Sequence, residues 1–436
     1  MDYTIMPSLP SLERVQAVPS HKWMWYILPG QVTNQGLNIV IPLYIISLGG
    51  GIGEIAIVSA IQNAAIAIGS IFWGKIIDRF HSRRFILLTS FFAVLLCSIF
   101  LYLTSSIAVL YAIAPVLGFF IVGRNPVTQL LVMESVQKNL WSWLFARTSV
   151  ISTLGMLVAM AIGTVDSAYF NLKPYFLICA ASSGVAMALS MSVKGGGFHL
   201  ERSSVAHSLH GLHYTISHYH FVFPKIPELY DFRHIITIFR GKISNEIGIF
   251  SIAIFCFNLG SNMYSTAWSP FLVSRHFSNS AVFLNYMIQM VAMLLIFFAA
   301  PRIISRMGEE RATALAFLPR ILAVVIPAVT IPIMIGSTGA MLAVVSSCLL
   351  VIGFSIFSTS SSVIFFKSIP QGFEGKYLGV NSAVTGTSVF AGALITGEFT
   401  KAFGYSALFL SAAAILGLSL ALFGAYFRYR LTNKSA

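Results

Sequence analysis

Charge is what this sequence holds least of. Asp, Glu, Lys and Arg make up 9% of its 436 residues, against roughly 25% in a soluble domain. That leaves too little polar surface to coat a water-soluble globule. The shortage is lopsided, with 27 Lys and Arg against 14 Asp and Glu. Cysteine is scarce too: Cys97, Cys179, Cys256 and Cys348 lie singly in apolar runs. Their spacing suits neither a metal site nor a disulfide framework, so they read as packing residues. Neither H-E-x-x-H nor G-x-S-x-G occurs, and no pair of carboxylates lies in mid-run, so neither catalysis nor a cofactor is expected.

What the chain has in quantity is apolar length: 57% of it is hydrophobic. Stretches of about 20 apolar residues cross a ~30 Å hydrocarbon core as helices. Twelve such spans are expected, over 23–48, 54–74, 84–104, 109–134, 141–165, 173–193, 245–271, 280–304, 312–335, 338–367, 376–398 and 404–428. The opening "MDYTIMPSLPSLERVQAVPSHK" carries prolines and no apolar core, so it does not read as a cleaved secretory signal. The expected organisation is a tail over 1–22, a six-helix unit over 23–193, a basic His-rich linker over 194–243, a second six-helix unit over 244–430 and a tail over 431–436. The fold class is therefore all-α integral membrane, with the bilayer as its surroundings.

The basic residues orient the spans. Loops on the side of the termini hold 21 Lys and Arg, whereas the opposite loops hold only Lys173, Arg275 and Lys401. By the positive-inside rule both termini and the linker face the cytoplasm of a cell membrane. The net charge of +13 is thus a topology signal, and no nucleic-acid partner is expected.

The two halves repeat. Gln62 recurs as Gln289, Arg79 as Arg306 and Arg84 as Arg311, each 227 residues on; Asn34 and Pro42 recur as Asn262 and Pro270, 228 on. Further along, Gly163 and Gly397 correspond less clearly, 234 apart. Matches at adjacent offsets indicate a duplicated six-helix unit. The turn after the second span, "GKIIDRFHSRRFILL", carries Gly74, Asp78, Arg79 and Arg83 in the places of a G-x-x-x-D-R-x-G-R-R pattern, with His81 and Ser82 departing from it. Its counterpart "PRIISRMGEER" keeps Arg306 and Gly308 but has Pro301 and Ser305 where Gly and Asp would stand. With the six-plus-six arrangement and the long middle loop, these turns resemble the major facilitator superfamily. The resemblance implies two bundles that rock around a site near the bilayer midplane. It also implies a gating role on the terminal side for Gly74, Asp78, Arg79, Arg83, Arg306 and Gly308.

Polar side chains inside a membrane are costly and face a cavity or a partner helix. In the first span Gln31, Asn34 and Asn38 share a face; in the seventh, Asn258, Asn262 and Ser265 repeat the pattern. The resemblance implies that these helices line the pathway; the plainer alternative is that the amides join neighbouring helices. Gln62 and Gln289 are candidates on the same grounds. Arg124, in "FFIVGRNPVTQLL", lies deep in the fourth span and resembles an arginine found there in many family members. A carboxylate, backbone carbonyls, water or an anionic solute could satisfy it, and Pro126 would free a carbonyl nearby. Arg147 and Arg320 read as structural.

Glu54, Asp166 and Glu398 fall at the outer ends of spans, and no carboxylate lies at mid-span. Secondary-active or facilitated transport of a small polar or anionic solute by alternating access is therefore expected. The alternative is efflux of drug-like amphiphiles by proton-coupled antiport. A membrane-embedded enzyme or a receptor is a minor alternative, and a monomer is the expected state. The linker holds seven of the ten histidines, including "HSLHGLHYTISHYH"; with no cysteine among them they read as a solvated or surface-lying segment, and no metal is expected. "GGGIGE" follows a membrane helix and reads as a tight connection, not a phosphate loop.

Overall fold

Backbone polar groups in a bilayer must be satisfied within the segment that carries them, so a chain of apolar runs becomes a set of helices. The computed structural model describes residues 21–79, 83–135, 141–169, 171–193, 245–368 and 374–434. Among them are seven helices in the first half: α1 Ile27–Ser47, α2 Ile52–Arg79, α3 Arg83–Leu103, α4 Ile107–Val122, α5 Arg124–Ser135, α6 Trp141–Tyr169 and α7 Lys173–Ser190. The second half holds α8 Asn245–Ser274, α9 Asn279–Met307, α10 Glu309–Thr330, α11 Gly336–Ser368 and α12 Glu374–Lys434. The tail to residue 20 and the linker over 194–243, with its histidines, lie outside the described residues.

Two breaks convert this list into twelve crossings. α4 and α5 form one span interrupted at Gly123; Pro126 has no N–H to give the Val122 carbonyl, where α4 stops. α12 is two arms joined at Gly404, which holds φ 80°, and its apolar stretch Val384–Arg430 runs 47 residues, enough to cross twice. Eight helical stretches among the described residues are long and apolar enough to span by composition alone. This is a multi-pass membrane protein. Phe100, Leu295, Phe298 and Leu418 lie exposed on its periphery, as lipid-facing side chains should.

The crossings form two bundles with the same neighbour relations. In the first, α2 packs on α4, α3 on α7, and α1 on α6 and α7; in the second, α9 packs on α11, α10 on the far arm of α12, and α8 on both arms of α12. Small residues permit these contacts. At Gly118 a Cβ would overlap the Gln62 carbonyl, and at Gly69 it would meet the Phe119 backbone, so α2 and α4 approach backbone to backbone because these side chains are absent. The second bundle is centred on aromatics: Phe257 and Phe357 stack at 3.6 Å, with Phe317 and Phe423 edge-on.

The bundles meet along two seams, α2 with α12 and α6 with α9. At the first, Gly397 packs on Ala56 and Gly53, Lys401 crosses Gly53, and Gly386 lies against Ala67. At the second, Gly163 packs on the Phe283 ring and Ser280 Oγ donates to the Thr164 carbonyl at 2.9 Å. Apart from Gly386 and Ala67, these residues lie near the ends opposite the termini. The bundles are closed together there. Gly163 and Gly397, matched only loosely as repeats, are the two glycines at which the seams close.

Candidate functional site

Between the seams lies a cavity of about 390 Å³, walled by residues of α1, α2, α4, α5, α8 and α9. It extends from mid-span towards the closed end. Five pathway candidates line it: Asn34, Asn38, Gln62, Asn262 and Ser265. Asn38 and Ser265 are exposed in the middle of their helices, since the space they face is open. Six further polar residues complete the lining: Ser59, Asn63, Asn125, Thr266, Ser269 and Tyr286. The remaining nine are Leu, Ile, Val and Pro, so every lining side chain is uncharged. Pro42 on α1 is among them, whereas its repeat Pro270 on α8 is buried outside the lining.

The polar groups are arranged in pairs. Asn262 Oδ1 accepts from Thr266 Oγ1 at 3.2 Å, and Ser269 Oγ and Tyr286 Oη share a hydrogen bond of 3.0 Å. Asn34 Nδ2 donates to Gln31 Oε1 at 3.5 Å, so Gln31, which is not in the lining, supports a residue that is. Asn258 is not in the lining and donates from Nδ2 to the Ile254 carbonyl at 3.0 Å. Uncharged amides carry both donors and acceptors. A wall of them can complement a solute that does the same.

Gln62 and Gln289, partners in the repeat, are separated by the structure. Gln62 lines the cavity; Gln289 is buried outside it, with no hydrogen-bond partner for Oε1 among the described residues. The residue of α9 that reaches the cavity is Tyr286, three positions earlier.

Arg124 stands beside the cavity and turns from it. Its neighbours Ile121, Val122 and Asn125 line the wall. Its own guanidinium donates from Nη1 to the Gly30 carbonyl at 3.3 Å and from Nε to the Ile121 carbonyl at 3.2 Å, and lies 5.0 Å from the Phe91 ring centre. Arg320 is held alike, donating to Ser261 Oγ at 3.1 Å and the Leu350 carbonyl at 2.9 Å over the Phe257 and Phe354 rings. Both are fully enclosed cations satisfied by carbonyls, a hydroxyl and ring faces.

At the turns, Arg83 is buried and donates to the Ile77 carbonyl at 3.0 Å. Gly308 joins α9 to α10 at φ 81°, and Arg306 is exposed beside it. The side chains of Asp78 and Arg79, and residues His81 and Ser82, lie outside the described set.

Asn63 and Asn125 were within reach of sequence reasoning, since each adjoins a residue singled out there. A helix turns about 100° per residue, and only packing decides which of two polar neighbours faces the space. Tyr286 and Ser269 gave no signal, because a tyrosine and a serine in an apolar run are ordinary packing residues.

Comparison with known proteins supports the architecture. The Major Facilitator Superfamily model matches residues 30–381. No curated protein sequence matches the chain. Among solved structures, a point mutant of the nucleoside transporter NupG is similar with TM-score 0.75 and 14% identity, covering 93% of this chain and 99% of its own. A POT family transporter in complex with 5-aminolevulinic acid is similar with TM-score 0.73 and 14% identity, covering 93% and 95%. A peptide transporter POT in complex with alafosfalin gives 0.71 and 13%, covering 94% of each chain. At these identities the likeness is one of fold.

Proposed function

The chain belongs to the major facilitator superfamily, and from that premise we propose that it carries a small, polar, uncharged solute across the cell membrane through the cavity between its bundles. It is a transporter, not an enzyme. The observation that carries the choice of solute is the lining: eleven hydroxyl, phenol and amide side chains and no charged one. A carboxylate, phosphate or zwitterion entering this space would lose its hydration without meeting an opposite charge. A nucleoside-like solute, with hydrogen-bonding edges and no net charge, matches both the lining and the cavity's size, which lies in the usual range for small-molecule sites. Amides reach the cavity from α1, α2 and α5 of one bundle and from α8 of the other, so a bound solute touches both halves. Efflux of amphiphiles by proton antiport is the less favoured reading, because polar groups reach the cavity from both bundles.

The seams support alternating access as the mechanism. The structure is closed at the end opposite the termini; opening there requires Gly163 to part from Phe283 and Gly397 from Ala56. The excess of basic residues on the terminal side supports cytoplasmic termini, so this conformation faces the cytoplasm. A single chain encloses the whole cavity, which supports a monomer as the transporting unit.

The test is flux in vesicles holding the purified full chain. Radiolabelled uridine should enter and be competed by other nucleosides, with dipeptides and phosphate esters without effect. Uptake of a dipeptide or an anion in preference to uridine would overturn the uncharged-solute reading.

A further inference from the structure

At the terminal end of the second bundle the described side chains include five arginines: Arg302 and Arg306 of α9, Arg311 of α10, and Arg428 and Arg430 of α12. Glu309 and Glu310 are the acids described with them. An excess of basic residues on one side follows from topology. Topology does not dictate which face of each helix carries them.

Four of the five prolong a lipid-facing stripe. On α9 the exposed Val291, Leu295 and Phe298 recur at steps of four and three, and exposed Arg302 and Arg306 continue the series. Tyr286, which lines the cavity, precedes Arg302 by 16 residues and Arg306 by 20. At about 100° per residue, both arginines lie on the side of α9 away from the cavity. On α10 the exposed Leu322, Leu318 and Leu315 lead at the same steps to exposed Arg311. Arg320, buried against the Leu350 carbonyl of α11, is nine residues from Arg311 and so half a turn round. On the far arm of α12, exposed Leu410 and Arg428 are 18 residues apart, five whole turns, while Tyr426 beside Arg428 is fully buried.

The three helix ends adjoin. Gly308 turns α9 directly into α10, and Arg430 Nη1 lies 3.7 Å from Glu310 Oε1, which holds the end of α12 beside the start of α10. That ion pair occupies Glu310, leaving one acid, Glu309, among four outward-facing arginines. Among the described residues no hydrogen bond or ion pair engages the guanidinium of Arg302, Arg306 or Arg311. A guanidinium forks to two oxygens of a phosphate, and its apolar stem lies along lipid while the head stays at the interface. We propose that this rim, from Arg302 and Arg306 through Arg311 to Arg428, binds the headgroup phosphates of anionic phospholipids in the adjoining leaflet. The stripes of α9, α10 and α12 take the acyl chains. The occupant is a lipid and not a soluble anion, because the arginines continue faces that the bilayer covers and point away from the cavity.

The inference rests on the multi-pass fold and not on the transport reading, and its test needs no transported solute. Native mass spectrometry of the purified full chain, in micelles doped with phosphatidylglycerol or with phosphatidylcholine of the same acyl chains, reads the lipid bound. Phosphatidylglycerol should bind at least about tenfold more tightly, and less so as salt rises. Arg302→Gln, Arg306→Gln, Arg311→Gln and Arg428→Gln should each weaken it by about fivefold, the worth of one basic residue at an anionic surface. The quadruple variant should bind the two lipids alike. Lys173→Gln, which removes a charge at the opposite end, should keep the preference. Size exclusion and thermal unfolding show whether each variant is folded, and the single variants decide if the quadruple one is not. Equal binding of the two lipids by the parent, unchanged affinity in all four single variants, or a preference that persists in a folded quadruple variant would overturn the proposal. Displacement of phosphatidylglycerol by free glycerol phosphate would overturn it too, by marking a site for a soluble anion.

Discussion

The guanidinium of Arg124 lies 5.0 Å from the centre of the Phe91 ring, and the second bundle contains the same pair with its members exchanged. Arg320 lies 5.4 Å from the Phe354 ring. Phe354 is 230 residues after Arg124, and Arg320 is 229 after Phe91, within the range of offsets that relates the halves. The duplicated unit thus keeps a buried cation over a ring between corresponding helices, whichever helix supplies the cation. A motif preserved through such an exchange belongs to the architecture of each bundle.

The first prediction separates structural from solute-binding roles for Arg124. Its polar contacts are two backbone carbonyls, and it faces away from the cavity. Arg124→Met keeps length and apolar contact with Phe91 while removing the charge. It should lower stability by about 1–3 kcal/mol through the lost ring and hydrogen-bond contacts. Uridine affinity in the folded fraction should stay within about twofold. Thermal unfolding and equilibrium binding check the two halves of this statement, and a tenfold loss of affinity at unchanged stability would place Arg124 at the solute.

How much of this was legible beforehand depends on what each feature rests on. The spans, the duplication and the amide face of α1 follow from composition and spacing, which act locally: Asn34 and Asn38 share a face because a helix repeats every 3.6 residues. The orientation of Arg124, the separation of Gln62 from Gln289 and the burial of Asp166 depend on contacts between helices distant in sequence. No local pattern reports them. Gly163 shows the boundary case: its repeat relation to Gly397 was visible, and its role appears only when Phe283 of the other bundle is set against it.

The cavity amides give the second prediction. Asn38 and Asn262 line the space from opposite bundles. Asn38 is exposed and Asn262 half-buried, so trimming either leaves little packing to lose. Asn38→Ala and Asn262→Ala should each weaken solute binding by about 1–1.5 kcal/mol, roughly tenfold, as expected for one hydrogen bond. The unfolding temperature should move little. Unchanged affinity in both variants would remove these two amides from the solute's contacts.

A third prediction concerns the support behind the cavity wall. Asn285 Oδ1 accepts from Trp268 Nε1 at 3.2 Å and from Ser347 Oγ at 2.7 Å, tying α8, α9 and α11 together, and Asn285 is 3% exposed. Asn285→Leu is similar in size but leaves two buried donors without their acceptor. A destabilisation of about 2–4 kcal/mol is expected, since each stranded donor bears its desolvation cost. Removing one donor as well, in Asn285→Leu with Ser347→Ala, should recover part of the loss. A double variant no more stable than the single one would show that the network is not the cause.

Gly163 carries the last prediction, because it is the tightest point of the α6–α9 seam. A Cβ at this position would overlap ring atoms of Phe283, which is itself fully buried and cannot swing aside without disturbing Tyr175. Gly163 lies inside a helix, so the backbone tolerates alanine or leucine; only the closed seam does not. Gly163→Leu should therefore leave each bundle folded while preventing contact at the end opposite the termini. Spin labels at Asn171→Cys and Ser278→Cys, exposed positions on either side of the seam, should show longer separations than in the parent with its native cysteines replaced, and flux should fall by more than tenfold. The cause can be isolated by a second change. In Gly163→Ala the overlap is one methyl group, and Phe283→Ala removes the ring it meets, so the double variant should close again and regain flux. Short separations in Gly163→Leu, or a double variant no better than Gly163→Ala, would show that closure does not pass through this contact.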